Sequence, residues 1–465
     1  MGIVVAKFGG TSLADAAQFR KVKMIVDADS RRRFVVPSAP GKRYSSDQKI
    51  TDLLYLYHSK VINNLPSNDE FNLIFERFTS IVDDLGILLD IKPYLEKIRL
   101  DIESGASSDY AASRGEYLSG VILASLLGFN FVDPSEMIFF DECGKFDDEA
   151  TLKAVSAKLT NYNKAVIPGF YGSMPDGRIK TFPRGGSDIS GAIVSRCVSA
   201  EVYENWTDVS GFLVADPKIV DNPRLIKKVT YKELRELSYM GASVLHEDSI
   251  YPVQKAGIPI NIKNTNSPFE AGTLIVQDAE PVTHTGGITG IAGKKDFTVI
   301  AIEKTYMNME LGFGRRLLSI IENKGISFEH MPSGIDTISL VIADSQINGK
   351  LEDVIAEIET QLNPEKIEVF SNVALIATVG QGMAYTPGMA SRLFSALAAH
   401  GINVRMIDQG PSEINIIIGI ECKDFENAVR AIYDAFESKS TNLQREDQCD
   451  ELFVGDIRGN RGSGT

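Results

Sequence analysis

The sequence predicts an α/β protein in two parts: an open αβα sandwich over roughly the first 285 residues, followed by two βαββαβ units. Three observations carry that prediction. Short β-branched runs alternate with longer amphipathic stretches through the first 280 or so residues, the pattern of strands covered by helices. Beyond about Gly286 the chain repeats itself: Arg316-Leu317-x-Ser319 returns as Arg392-Leu393-x-Ser395, Gly325-Ile326 as Gly401-Ile402, and Gly334, Ile338 and Ile342 as Gly410, Ile414 and Ile418. All eight matches are 76 positions apart, so the copies align without a gap, and each reads strand, helix, glycine, strand, turn, strand, helix. Finally, 465 residues exceed what one ordinary core accommodates.

From the N-terminus, Ile3-Val4-Val5 opens a first strand, and Lys7-Phe8-Gly9-Gly10-Thr11-Ser12 falls where that strand gives way to a turn. Two glycines let the backbone approach an anion, Thr11 or Ser12 can cap the following helix, and free N–H groups beside Lys7 make a phosphate cradle. Read alone, the same residues also suit a plain tight turn, and the P-loop spacing is absent. Phe34-Val35-Val36 is a second buried strand, ended by Pro37-Ser38-Ala39-Pro40-Gly41. A long polar, mostly helical region runs from about Lys49 to Leu127. Further strands are expected at Ala165 to Ile167, Val202-Tyr203 and Ile258 to Ile262, with ligands at the carboxyl ends of the strands. In the second repeat, Pro387 stands near the helix start and Gly401 at its end, between strands expected at Val404 to Ile407 and Ile414 to Ile420. The tail from Ser440 is polar and is expected to be mostly disordered.

Composition narrows the function. A formal net charge of -14 argues against nucleic acid or an anionic membrane as partner. No apolar stretch reaches membrane-spanning length, and the N-terminus enters a strand without a charged-then-apolar leader, so a cytoplasmic location is expected. The four cysteines are scattered with no Cys-x-x-Cys pair, which fits a reducing compartment rather than zinc or disulfides.

Three stretches can carry chemistry. Thr181-Phe182-Pro183-Arg184-Gly185-Gly186-Ser187-Asp188, preceded by Gly169-Phe170-Tyr171-Gly172, suits a helix start facing a charged ligand. Arg184 offers a fork to a carboxylate or phosphate, Ser187 can cap, and Asp188 can hold a neighbouring lysine; a simple helix cap after a glycine turn is the plainer reading. Ser113-Arg114-Gly115-Glu116 matches a capping box before an apolar run, yet Glu116 can equally receive a substrate ammonium. Asn205-Trp206-Thr207-Asp208, with the single tryptophan, lies after a strand and reads either as a nucleotide-lining loop or as a polar turn.

Together, and in this order, Lys-Phe-Gly-Gly-Thr-Ser, Ser-Ala-Pro-Gly-Lys, Ser-x-Gly-Glu, Arg-Gly-Gly-Ser-Asp and Trp-Thr-Asp-Val resemble the aspartate kinases of the amino-acid kinase family. The trailing repeat resembles their tandem ACT domains, which are ferredoxin-like. The resemblance spans residues 1 to about 437 and implies a catalytic domain at 1–285, ACT domains at 286–372 and 373–439 whose boundary strands can be exchanged, and a tail at 440–465. It implies ATP-dependent phosphorylation of the side-chain carboxylate of L-aspartate, the entry to lysine, threonine and methionine biosynthesis, with Mg²⁺ held mainly through phosphates and water. Lys7 would neutralise phosphoryl charge, Gly9 and Gly10 would lie against the phosphates, and Asp188 would orient Lys7. Ser38, Thr51, Glu116, Phe170, Arg184 and Ser187 would shape the aspartate site, with Arg184 on the α-carboxylate and Glu116 on the α-ammonium. Thr207, Asp208, Leu213 and Lys218 would contact the nucleotide.

Three positions depart from the family pattern: Phe182-Pro183 replaces Leu-Gly, Leu213 stands near a usual aromatic, and Ser243 replaces a lysine, so another lysine would have to supply that charge. The resemblance also implies end-product inhibition by lysine, threonine or both, at a loop of the first ACT unit with Met309, Gly312, Asp336 and Ser339, and a homodimer or dimer of dimers through the ACT domains. Rival readings are a sister kinase acting on another carboxylate and a catalytically silent amino-acid sensor; a fused homoserine dehydrogenase is not expected at this length.

Overall fold

Strand β1 (Val4–Phe8) is buried along its whole length, as the central strand of a parallel sheet covered on both faces must be. The computed structural model describes residues 2–183, 185–242, 247–278 and 287–437, so Arg184, Ser243 and the tail expected from Ser440 lie outside the described residues. The chain forms two bodies: one of Met1–Phe212, Leu225–Tyr231 and Val244–Glu280, the other of Leu213–Arg224, Lys232–Ser243 and Pro281–Thr465. The expected α/β architecture, a layered sandwich followed by a ferredoxin-like repeat, is observed.

In the first body, β1 is joined by β2 (Arg32–Pro37), β3 (Asn130–Phe131), β4 (Ala165–Val166), β7 (Val202–Thr207), β8 (Lys228–Thr230), β9 (Ile260–Asn264) and β10 (Thr273–Val276). They form an eight-stranded sheet in the order β3-β4-β2-β1-β7-β9-β10-β8; β9 and β10 run antiparallel, the other neighbours parallel. A separate ribbon pairs β5 (Tyr171–Ser173) with β6 (Ile179–Thr181). One face of the large sheet carries α1 (Ala16–Ala28), α2 (Ile50–Ile62), α3 (Asn68–Leu85), α4 (Lys92–Glu103) and α5 (Ser108–Leu127), whose apolar stripes bury Phe8, Val35, Val166 and Trp206. The rings of Phe8 and Trp206 stack across adjacent strands with centroids 5.9 Å apart. The opposite face is covered by α7 (Gly186–Cys197), with α6 (Asp148–Leu159) and α9 (Glu247–Ala256) packed beside it.

Each strand expected here exists, although most boundaries move. The first runs on to Phe8, and the one expected from Ile258 starts at Ile260. Two caps differ from expectation. Gly10–Leu13 is a 3₁₀ turn, and α1 is capped by Asp15, whose Oδ1 accepts from Gln18 N at 2.9 Å; Ser12 instead bonds Thr265 across the fold at 2.7 Å. Helix α5 starts at Ser107, which accepts from Tyr110 N at 3.1 Å. Ser113 and Glu116 therefore lie inside the helix, and the capping-box reading falls.

The second body is organised by two long strands, β11 (Gly290–Glu303) and β13 (Lys366–Val379), in a five-stranded sheet ordered β12-β11-β13-β15-β14, where β12 is Thr337–Ala343, β14 Met406–Asp408 and β15 Asn415–Glu421. Phe297–Glu303 of β11 pairs with β12 and with the first half of β13, over a core closed by α10 (Phe313–Asn323) and α12 (Leu351–Leu362), with the short α11 (Asp344–Ile347) between β12 and α12. Gly290–Lys294 pairs with the second half of β13, which continues through β15 to β14 over α13 (Met389–Ala399) and the helix at 425–437. The first half of β11 thus occupies, in the second copy, the edge position that the first half of β13 occupies in the first copy. Where the repeat leads one to expect a regular strand after Gly325, the first copy makes only the isolated bridges His330–Val341 and Ser333–Ile338. Segment 213–224 and most of α8 (Tyr231–Tyr239) also belong to this body: Ala215 and Val220 enter the second core, and Arg224 holds Glu437 at 2.8 and 2.9 Å.

Candidate active site

The chain winds outward from β1 to β2 and on to β3 and β4, then returns to the other side of β1 as β7. Such a reversal splays the loops at the carboxyl ends of neighbouring strands and opens a crevice there. A cleft of about 770 Å³ lies at that point, lined by Lys7 of β1 and Gly9 and Gly10 after it, Ser38 to Lys42 after β2, Lys49, Thr51 and Asp52 at the start of α2, Glu116 of α5, Phe170, Gly185 to Asp188 at the start of α7, and Asn205, Thr207 and Asp208 of β7 and its loop. Of the candidate residues, Lys7, Gly9, Gly10, Ser38, Thr51, Glu116, Phe170, Ser187, Asp188, Thr207 and Asp208 come together in this one place.

Lys7 is the single charge in an otherwise apolar strand. It is 7 % exposed, and its Nζ lies 2.6 Å from Asp188 Oδ1 in the first turn of α7. Asn205 bridges the two, donating to Asp188 Oδ1 at 2.7 Å and accepting from Lys7 at 3.5 Å. The N-caps of α2 and α7, Lys49 and Gly185, make no side-chain cap bond, so amide groups at both helix starts remain for an anion. Ser187, expected as a cap, is inside α7, and Gly185 holds the capping position at φ 75°, a left-handed conformation natural to glycine. Phe170 adopts φ 82° without being glycine, a strained backbone of the kind that clusters at binding sites.

Two turns meet backbone to backbone at the floor. Gly41 N donates to Gly10 O at 2.7 Å, and a Cβ on Gly41 would fall 2.6 Å from Gly10 C. Behind them, buried Arg77 reaches the carbonyls of Ala14 and Gly41 at 3.4 and 3.3 Å and pairs with Asp47, which also takes Arg43 at 3.0 Å. This anchors the stretch that presents Lys42 and Lys49 at the rim. Both lysines line the cleft and are exposed.

Glu116 is the second anomaly. It is 5 % exposed, lines the cleft, and its Oε2 has no hydrogen-bond partner among the described residues. Burial pushes its carboxyl up to about 8, against the Ala39 N–H and the charges of Arg114 and Lys7, which pull it down. A buried acid with a free oxygen is a receptor for a cation that arrives with a ligand.

Leu213 and Lys218 are not among the lining residues; both belong to segment 213–224 of the second body. There, Met309, Gly312 and Asp336 gather around one loop: Met309 ends a 3₁₀ turn, Gly312 caps α10, and Asp336 accepts from Tyr306 N at 2.9 Å. Ser339 lies elsewhere, in a cavity of about 430 Å³ with Val299, Phe370 and Arg405. Strand alternation explains the separation, since Ile338 and Leu340 face the core. Sequence reasoning quoted Asn205 and Lys42 within motifs without assigning either a role, and it passed over Lys49 and Tyr55, which also line the cleft; a polar residue in the buried middle of β7 was the available signal for the first.

Comparison with known proteins agrees with this geometry. Residues 2–264 match the amino acid kinase family and residues 376–436 the ACT domain. The chain is 36 % identical to Aspartokinase 3 of Bacillus subtilis over 93 % of its length and 98 % of that protein. It is 30 % identical to the chloroplastic Aspartokinase 1 of Arabidopsis thaliana, over 93 % and 80 % of the two chains. Among solved structures, the aspartate kinase of Clostridium acetobutylicum superposes with a TM-score of 0.87 at 58 % identity, covering 94 % of this chain and all of that one.

Proposed function

Because the chain belongs to the amino acid kinase family, and within it to the aspartokinases, we propose that its cleft transfers the γ-phosphoryl group of ATP to the side-chain carboxylate of L-aspartate. The observation that carries this reading is the convergence on one cleft of a buried ammonium (Lys7), two uncapped helix starts and a buried carboxylate with a free oxygen (Glu116). The first two suit phosphates, the third an α-ammonium, and a phosphoryl acceptor carrying an amino group meets both.

The acceptor carboxylate is already ionised at neutral pH, with an ordinary pKa of about 3.9, so no general base is needed. Its oxygen forms the new P–O bond while the bond from the γ-phosphorus to the β–γ bridging oxygen breaks, and that oxygen leaves on ADP. The obstacle is charge, an anion driven against a polyanion, and catalysis consists of neutralisation and in-line positioning. Lys7, kept in place by Asp188, meets the transferring group; Gly9, Gly10 and the start of α7 offer N–H groups; Thr207 and Asp208 border the nucleotide. Ser38, Thr51, Phe170 and Ser187 shape the acceptor pocket around Glu116, and Arg184 is assigned the α-carboxylate. Mg²⁺ would be held mainly through the nucleotide's phosphates and water, and would supply further positive charge there. Lys42 and Lys49, which line the cleft, are candidates for the charge that a lysine at position 243 would have supplied.

The acyl phosphate feeds amino-acid biosynthesis, and regulation falls to the repeat. We assign residues 1–285 to catalysis and 286–372 and 373–439 to two ACT units, through which the chain forms a homodimer or dimer of dimers and senses lysine or threonine. Among the described residues no helix is long and apolar enough to cross a membrane, which supports a cytoplasmic enzyme. Aspartate-dependent ADP release, run beside glutamate and acetylglutamate, tests the reading; release with either of the others instead would make it a sister kinase, and nucleotide binding without turnover a sensor. Titrating lysine and threonine into the same assay tests the regulation, and no response to either would remove it.

A further inference from the structure

We infer that Asn205 is a positioning residue that locks Lys7 and Asp188 into one rigid unit for phosphoryl transfer, a role resting on the phosphotransferase reading above. Asn205 stands directly opposite Lys7 in the parallel register of β1 and β7, so both side chains leave the sheet on the same face, beneath the start of α7. It is 2 % exposed and lines the cleft. The three side chains close a triangle: Lys7 to Asp188 at 2.6 Å, Asn205 Nδ2 to Asp188 at 2.7 Å, Lys7 to Asn205 Oδ1 at 3.5 Å.

An ammonium only donates and an ionised carboxylate only accepts, so a group touching both must accept from one and donate to the other. A side-chain amide does this in a single orientation. A carboxylate at position 205 would repel Asp188, and an aliphatic side chain would leave both partners with one support fewer. Lys7 ends a flexible four-carbon stem with three donors. Held by Asp188 alone it can pivot about that contact; held at two points it has one N–H direction left, toward the cleft. The backbone of α7 is tied down as well, since Tyr203, two residues back on the same face of β7, donates its hydroxyl to Asp188 O at 3.1 Å. Positioning at this level matters because a displacement of about 1 Å can cost about a hundredfold in rate.

Steady-state kinetics on the full chain, as wild type, Asn205→Ala, Asp188→Ala and the double variant, test the inference. Asn205→Ala is expected to lower kcat about tenfold or more with KM for aspartate within about twofold, since a misdirected Lys7 affects the transition state and not substrate binding. In the Asp188→Ala background the same substitution should change residual kcat less than about twofold, because the unit is already broken. Asn205→Asp keeps the acceptor for Lys7 but cannot donate to Asp188, and should be as impaired as the alanine variant; it carries the test if the alanine variant does not fold. Equal losses in both backgrounds, or near-normal kcat in Asn205→Asp, overturn the inference. A wild-type protein that releases no ADP with aspartate overturns instead the reading on which it rests.

Discussion

Arg77 grips both carboxylate oxygens of Asp47, at 2.8 and 2.7 Å, beneath the stretch that brings Lys42 and Lys49 to the cleft. Both side chains are almost fully buried, so the pair matters less for its attraction than for the charge left stranded when one partner is removed. Asp47→Ala leaves a buried guanidinium without its carboxylate and is expected to cost about 3–5 kcal/mol, read as the shift in a denaturant midpoint. Arg43 and, behind it, Arg77 hold the Asp47 carboxyl well below the usual carboxylate range. A depressed acid lends stability above its unfolded pKa of about 3.8 and loses it as pH falls further. Asp47→Asn should therefore flatten the acid limb of the melting-temperature profile below about pH 4, and an unchanged slope would count against the assignment.

Lys7→Ala should leave a folded protein that has lost most turnover. Removing one electrostatic contact to developing charge commonly costs on the order of 3 kcal/mol in the barrier, about a hundredfold in rate. The measurement is ADP release at saturating substrates, with circular dichroism to establish folding. Near-normal turnover would show that Lys7 does not face the transferring group.

Glu116 gives the protein a pH signature in two readouts. Its carboxyl ionises ordinarily at 4.5 and in the folded chain at about 8, because burial penalises the charge. A raised acid contributes stability that is whole below about 4.5 and is lost as pH rises through about 8. Melting temperature of the ligand-free protein should fall more steeply between about pH 5 and 8.5 in the wild type than in Glu116→Gln. Over the same range KM for aspartate should fall in the wild type, as the ionised carboxylate becomes available to the ammonium, and stay flat in the variant. Parallel profiles for the two proteins would contradict that role.

Gly41→Ala should separate the two turns at the floor of the cleft, since its Cβ would fall 2.6 Å from Gly10 C, and backbone cannot swing aside as a side chain can. Nucleotide affinity is expected to drop about tenfold, the equivalent of roughly 1.4 kcal/mol. Trp206, the only tryptophan, is 1 % exposed and its carbonyl takes the Gly9 N–H at 2.9 Å, so its fluorescence can track the titration. Unaltered affinity would mean that the Gly10–Gly41 contact does not shape the phosphate site.

Much of this molecule is written in its linear order. Apolar runs such as Val4–Val5 and Phe34–Val36 announce the strands because a strand buried on both faces is built mainly of apolar residues, and the 76-residue repeat announces two like modules because each must rebuild the same core. The glycine pairs at 9–10 and 185–186 mark where backbone borders the cleft, and most of the residues picked beside them share it. Choosing between two sound local readings took the folded structure. Ser113 and Glu116 satisfy a capping pattern, yet Ser107 starts the helix and leaves Glu116 facing the cleft from its interior. Asn205 meets Lys7 through a strand register 198 residues apart in the chain, β11 serves both regulatory cores, and segment 213–224 packs with the second body. The reason is common to all three: periodicity and capping are set by near neighbours, whereas strand register and the sharing of cores depend on hydrogen bonds and apolar contacts between residues that only folding brings together.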